Sequence, residues 1–144
     1  NWQYLRSGLD SLSEFLEFTL PTHAKKWNPD GSYEWDESGC HVDCSWFGFK
    51  IEVRQHSLFN RFELSKYLDN HKIGHRMFFG GNLVKQPAFT EILKTNENAY
   101  RVVGMHKGAD QIMNNQLFLG TYPGLTKEML DHEIYVINNF FNHV

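Results

Sequence analysis

Trp2, Leu5, Leu9, Leu12 and Leu16 recur at steps of three and four residues. That spacing gathers them on one face and predicts an amphipathic connecting helix over residues 1–20, with a stripe that needs a partner surface. Ser11-Leu12-Ser13-Glu14 has the form of a capping box, so the stretch also reads as two helices meeting near Ser11. Pro21 closes either version. Over residues 22–43 the pattern dissolves into Lys25-Lys26, Asn28-Pro29-Asp30-Gly31 and Asp36-Glu37-Ser38-Gly39. These turn-forming, charged runs predict a surface loop or insertion, with Tyr33 and Trp35 as candidate hairpin residues. From Phe49 to Arg54 apolar and polar residues alternate, the period of a half-buried strand. Asn60-Arg61-Phe62-Glu63 then predicts a capped helix carrying Phe62, Leu64, Tyr67 and Leu68 to about His71.

Ile73 to Phe79 reads as a short strand, and Gly80-Gly81 removes two side chains where the chain leaves it. Asn82 and Lys85 follow on a polar turn closed by Pro87. Tyr100 to Val103 and Leu117 to Leu119 are further strand candidates, with a helical turn at Ala109 to Asn115 between them. Thr126 caps a last helix on which Leu130, Ile134, Ile137 and Phe141 share a face. No internal repeat or low-complexity segment interrupts the series. Strands separated by helices, with helices at both ends, predict an α+β fold, an α/β sandwich of a small sheet packed against helices.

The chain has 144 residues, enough for one domain over residues 1–144 and too few for two. Its 12 Phe, 6 Tyr and 4 Trp imply either a densely packed interior or a surface that packs against more protein. The net charge of -3, from 14 basic and 17 acidic residues, gives no general attraction to phosphates or anionic lipid and argues against nucleic acid as a partner. No run of about 18 apolar residues predicts a membrane-spanning helix, and no leader resembles a signal peptide. The chain begins at Asn1 without Met and enters its amphipathic pattern at once, which suggests a piece of a longer protein. With only Cys40 and Cys44, no disulfide framework is legible, and the expected compartment is the reducing cytoplasm.

Cys40, His41 and Cys44, with His23 nearby, are the first constellation to test, since thiolate and imidazole are the usual zinc ligands. A structural zinc site draws on two ligand pairs, and the second pair is missing; two reduced loop cysteines are the preferred reading, and no metal is assigned. His56, His71, His75, His106, His132 and His143 lie apart without a metal-type spacing. No P-loop, dinucleotide-binding loop or serine nucleophile elbow occurs, and no catalytic residue is assigned to the chain. The stretch from Gly74 to Pro87 concentrates the binding chemistry. Arg76, beside Phe78, Phe79, Gly81 and Asn82, is suited to a forked contact with a phosphate or carboxylate while the rings cover a sugar or base. It is equally suited to a structural ion pair on an edge strand above core phenylalanines. Tyr122, in the turn Gly120-Thr121-Tyr122-Pro123-Gly124-Leu125, either packs or binds.

Ser45-Trp46-Phe47-Gly48-Phe49, Gly80-Gly81-Asn82-Leu83 with Gln86-Pro87-Ala88, Tyr100-Arg101-Val102-Val103-Gly104, Asp110, Met113-Asn114-Asn115 and Tyr122-Pro123-Gly124-Leu125-Thr126 occur in one order. This set resembles the C-terminal domain of the sugar 3-dehydratases in the DegT/DnrJ/EryC1/StrS aminotransferase family. The resemblance runs from about Trp46 to the C-terminus and, more weakly, through the first helix. It implies the small C-terminal domain of a fold-type I transferase dependent on pyridoxal or pyridoxamine phosphate (PLP or PMP), with a small antiparallel or mixed sheet against helices. It further implies that cofactor and catalytic lysine or histidine belong to an N-terminal domain absent from this chain, and that the chain alone binds no cofactor and is inactive.

The implied substrate is a nucleotide-linked 4-keto-6-deoxyhexose of lipopolysaccharide sugar synthesis, and the implied assembly is a homodimer. Arg76, Phe78, Phe79, Gly81, Asn82 and Tyr122 are carried over as substrate-lining residues. Cys44 stands where many relatives carry Pro, His75 where many carry Thr, and Leu117 to Thr121 replaces a run richer in Trp and Ile. The family also contains sugar aminotransferases, which remain an alternative, as does a non-catalytic module that binds sugar nucleotide or assists assembly.

Overall fold

Four strands form an antiparallel sheet in the order β1 (Leu16–Phe18), β4 (Gly48–Val53), β6 (Gln116–Gly120), β5 (His75–Met77), and β2 (Ala24–Trp27) pairs with β3 (Tyr33–Trp35) as a separate hairpin. The structure is a computed structural model and describes residues 1–142; His143 lies outside the described residues. The register sets Phe18 opposite Ile51, Phe49 opposite Leu119 and Ile51 opposite Leu117. Because side chains alternate across a strand, these residues share the first face. Lys50, Glu52, Gln116, Phe118 and Arg76 share the second.

The first face carries the core, closed by α1 (Trp2–Gly8), α2 (Arg61–Asn70) and α5 (Lys127–Phe141), which bury Leu5, Leu64, Leu68, Val136 and Ile137 against Phe49, Ile51, Leu117 and Leu119. On the second face α4 (Lys107–Asn115) covers one end, where the Gln111 and Gln116 amides donate to the buried Glu52 carboxylate. Between β5 and α4 lies α3 (Pro87–Thr95).

The helix expected over residues 1–20 ends at Gly8, passes through a 3-10 turn at Asp10–Leu12, and becomes β1. The stripe is buried as the spacing requires, with Trp2, Leu5, Leu9, Leu12 and Leu16 all in the core. Its second half is buried by another geometry. The carbonyls of Ser13, Glu14 and Phe15 accept from the Arg54, His56 and Ser57 side chains and the Arg54 amide. The segment after β4 thus takes the acceptors that a continuing helix would use, and tertiary hydrogen bonds override the local period. The 22–43 stretch contains the β2–β3 hairpin, docked through Trp27, whose ring meets Trp2 edge-on at 5.7 Å.

Three further expectations shift. The Ile73–Phe79 strand contracts to His75–Met77. Tyr100 to Val103 forms no strand; it is an exposed segment tied back where the Tyr100 hydroxyl donates to the Phe89 carbonyl at 3.0 Å. Pro87 opens α3 rather than closing a turn, using the first helical position, where a missing N–H is harmless. The α2 cap forms as read: Asn60 Oδ1 accepts from the Phe62 and Glu63 amides while Glu63 returns a bond to the Asn60 amide.

Candidate functional site

The second face is open beyond α4, and there four phenylalanines converge. Phe118 lies in register with Lys50 of β4 on one side and Arg76 of β5 on the other. Phe47 enters from the chain before β4, and Phe78 and Phe79 from the exit of β5. Ring centroids are 5.6 Å apart for Phe47–Phe118, 6.3 Å for the stacked Phe47–Phe79 pair and 4.9 Å for Phe78–Phe79. They line a cleft of about 200 Å³ with Thr19, Trp46 and Lys50. Phe47 is 77% exposed and Phe79 69%, so core burial does not explain the clustering.

Phe79 also has φ +52°, the left-handed region that costs a bulky residue on the order of 1 kcal/mol or more. An exposed ring held in a strained backbone is the mark of a site that touches something.

Tyr122 stands at a second, larger cleft of about 570 Å³, lined also by Trp2, Tyr33 and Asp43, which shares Trp46 and Phe47 with the first. The Thr121 hydroxyl donates to the Trp46 carbonyl at 2.8 Å and so joins the two walls. Arg76 is exposed on β5 and makes no ion pair among the described residues. Its guanidinium is on the same sheet face as the aromatic cleft.

Gly81 and Asn82 hold the loop. Gly81 has φ +59°, and a Cβ there would sit 2.5 Å from Met113 Cβ, so both backbone conformation and the approach of α4 require glycine. Asn82 is buried and donates its amide to Asp110 Oδ1 at 2.7 Å, an oxygen that also receives Lys85 Nζ at 2.7 Å. These two bonds, Lys85 first, hold the Asp110 carboxyl below its usual range.

Spacing alone did not single out Phe47, Lys50 and Phe118 as one set, because strand register brings them together. In the sequence Arg61 belongs only to a helix start. It is buried behind the Phe78–Gly81 bend, with Nη1 donating to the Gln116 carbonyl at 3.3 Å and its charge 4.6 Å from the Phe62 ring. Burial lowers its pKa.

A pyridoxal phosphate site needs a phosphate cup, a partner for the ring nitrogen and an amine or imidazole at the reactive carbon. The buried polar atoms without partners among the described residues are Arg6 Nε, Thr19 Oγ1, Trp27 Nε1, Arg61 Nε and Glu133 Oε2. They are spread over four clefts, and the aromatic cleft has Lys50 as its one charged side chain. These residues do not fit a complete site for that cofactor. Nor do the described residues contain a group of three or more His, Cys, Asp or Glu placed to hold a metal ion. His23 bonds Asp36 at 3.0 Å, His41 stacks on Trp35 at 4.7 Å, and Cys40 and Cys44 are free thiols.

Residues 1–139 match the model of the DegT/DnrJ/EryC1/StrS aminotransferase family. The chain belongs to this family. Among its members, lipopolysaccharide biosynthesis protein RfbH of Salmonella typhimurium is 42% identical over 98% of this chain and 27% of its own length. The dTDP-4-dehydro-2,6-dideoxy-D-glucose 3-dehydratase of Saccharopolyspora spinosa is 31% identical over 97% of this chain and 25% of its own. The chain therefore spans about a quarter of these relatives.

Among solved structures, a GDP-4-keto-6-deoxymannose-3-dehydratase with a trapped PLP-glutamate geminal diamine superposes with a TM-score of 0.65 at 23% identity, over 94% of this chain and 29% of that one. The E. coli GDP-4-keto-6-deoxy-D-mannose-3-dehydratase with bound hydrated PLP gives 0.60 at 22%, over 93% and 31%. At that identity the superpositions establish the fold. The four-stranded antiparallel sheet with helices is thus a partial fold-type I architecture of the DegT/DnrJ/EryC1/StrS kind. No described helix is long and apolar enough to cross a membrane.

Proposed function

We propose that this chain is the substrate-facing C-terminal small domain of a PLP- or PMP-dependent 3-dehydratase acting on a nucleotide-linked 4-keto-6-deoxyhexose, in the synthesis of a lipopolysaccharide sugar. The observation that carries this reading is the exposed aromatic cleft built around the strained Phe79, on a chain 42% identical to a lipopolysaccharide biosynthesis protein. The cleft has the chemistry to hold a planar base or the apolar face of a sugar by ring contact. Arg76, on the same sheet face, supplies an exposed guanidinium for a pyrophosphate, and Lys50, whose Nζ stands 3.4 Å from Glu52 Oε2, lines the cleft. Phe78 and Tyr122 widen the contact surface, while Gly81 and Asn82 fix the loop that presents Phe79.

In this reading the domain binds, orients and excludes water. The cofactor and the catalytic base belong to the remainder of the enzyme, a cytoplasmic homodimer. Phe79→Gly tests the proposal in an enzyme that carries this domain with the remainder. Glycine relieves the left-handed backbone and removes the ring, so KM for the sugar nucleotide should rise about tenfold, the lower end of a ring-stacking contribution, with kcat nearly unchanged. An unaltered KM would overturn the assignment of the cleft to substrate.

A further inference from the structure

Glu133 is a carboxylate on the wrong side of its helix. Positions Leu130, Ile137 and Phe140 are the buried stripe of α5, and Glu133 falls on that stripe, 9% exposed. Its Oε2 accepts no hydrogen bond from any described residue, although a buried oxygen left without a donor is destabilising. The side chain lines a cleft of about 490 Å³ between the α2–β5 connection, the turn after β6 and the first half of α5.

Ile73, Leu125 and Met129 give the cleft apolar walls, the Tyr122 ring stands at its edge, and Gly74 and Gly120 leave backbone without side chains. We infer that this cleft binds a single primary ammonium or guanidinium group carried on an apolar stem, with the Glu133 carboxylate as the acceptor. The stem packs on Met129 and Leu125, the cation approaches the Tyr122 face, and the head group supplies the donor that Glu133 lacks.

The charged and titratable groups that line the cleft with Glu133 are Lys72 from the α2–β5 connection, Tyr122 from the turn after β6, and Glu128 and His132 of α5 itself. Outside that lining, the same and packed elements carry His71, His75 of β5, Tyr4 of α1, and Lys127 and Asp131 of α5. Several are already engaged. Lys127 and Tyr4 bond Asp131, His132 meets the His71 carbonyl at 3.3 Å, and His75 meets Ser65 Oγ at 2.6 Å. Lys72 is the competing cation. It is exposed and holds φ +59°. Burial raises the Glu133 pKa to about 7, so the ionised acceptor forms only as pH climbs through neutrality.

The test is a titration of the 144-residue chain with n-butylamine and with Nα-acetyl-arginine methylamide, followed by amide chemical shifts at pH 6 and pH 8. Saturable shifts at residues 72–74, 120–125 and 128–133 are expected, with affinity about tenfold greater at pH 8, as a carboxyl titrating near 7 requires. Glu133→Gln should abolish binding while the remaining spectrum stays dispersed. Lys72→Gly, which suits the left-handed backbone and removes the competing cation, should tighten it. Binding of n-butylamine alone assigns the cleft to a primary ammonium, and binding of the arginine probe, alone or with it, assigns or extends it to a guanidinium. No saturable shifts, an unchanged affinity in Glu133→Gln or an affinity indifferent to pH would each overturn the inference.

Discussion

Two single residues show how position sets the effect of a group. Gly81→Ala would force a side chain into the left-handed region and against the Met113 backbone and Cβ at 2.5–2.8 Å. The expected loss is on the order of 2–4 kcal/mol, read as a lower midpoint of denaturant unfolding. Glu133 has the opposite sign. Its pKa is raised from 4.5 to about 7 by burial, so the native state keeps its proton while the unfolded chain loses it. Stability from this group is therefore complete below about pH 4.5 and falls as pH rises toward 7. Glu133→Gln should match the parent chain at pH 4 and exceed it at pH 8 by about 3 kcal/mol. Equal midpoints at pH 8 would contradict the burial argument.

At the scale of elements, α2 shows local sequence acting as written. The reciprocal Asn60 and Glu63 bonds satisfy amides that the first turn cannot. Asn60→Ala should cost about 1 kcal/mol, visible as a proportionate drop in unfolding free energy, with the m-value unchanged. The helix α3 shows the limit. It buries no residue of its own, so the core-facing stripe that betrays most helices was not there to be used. Its remaining signals were Pro87 at the first position and the spacing of Phe89 with Ile92 and Leu93. β5 is shorter than its sequence predicts for the complementary reason: its registered pairing with β6 covers His75, Arg76 and Met77, with one further bond from the Phe78 amide to the Gln116 carbonyl, and a strand is as long as its pairing.

For the whole molecule, Phe47, Phe79, Val103 and Met105 remain 67–77% exposed. The proposed function supplies a reason, since a domain a quarter the length of its relatives would meet substrate and further protein on such surfaces. The chain alone should neither turn over a sugar nucleotide nor retain pyridoxal phosphate. Mixing the two and dialysing should leave no Schiff-base absorption band, and a band that survives dialysis would contradict the scattered placement of unpartnered polar groups.

Much of the architecture was legible because burial follows spacing. The Trp2–Leu16 stripe and Phe49, Ile51 and Val53 of β4 reach the core as read. The two helix caps at Asn60 and Thr126 also form as read, because a cap is a contact between residues two or three apart. The α5 face, by contrast, turns so that Val136 and Phe140 join Leu130 and Ile137 in the core while Ile134 and Phe141 are only partly buried, and Glu52 of β4 is buried as well. The candidate site was half legible: the composition of Gly74 to Pro87 marked Phe78 and Phe79, while Phe47, Lys50 and Phe118 joined them only through strand register.

By itself, then, the sequence determined that the Trp2–Leu16 stripe and the apolar positions of β4 are buried, where two helices begin, and which family the ordered motifs resemble, since these depend on composition and near neighbours. Tertiary structure alone decided that residues 16–18 form a strand, that Asn82 turns inward to Asp110, and that Glu133 lies in the core stripe beside a cleft. Those outcomes depend on hydrogen-bond acceptors, charges and voids supplied by residues 28 to 60 or more positions away, which no local pattern encodes.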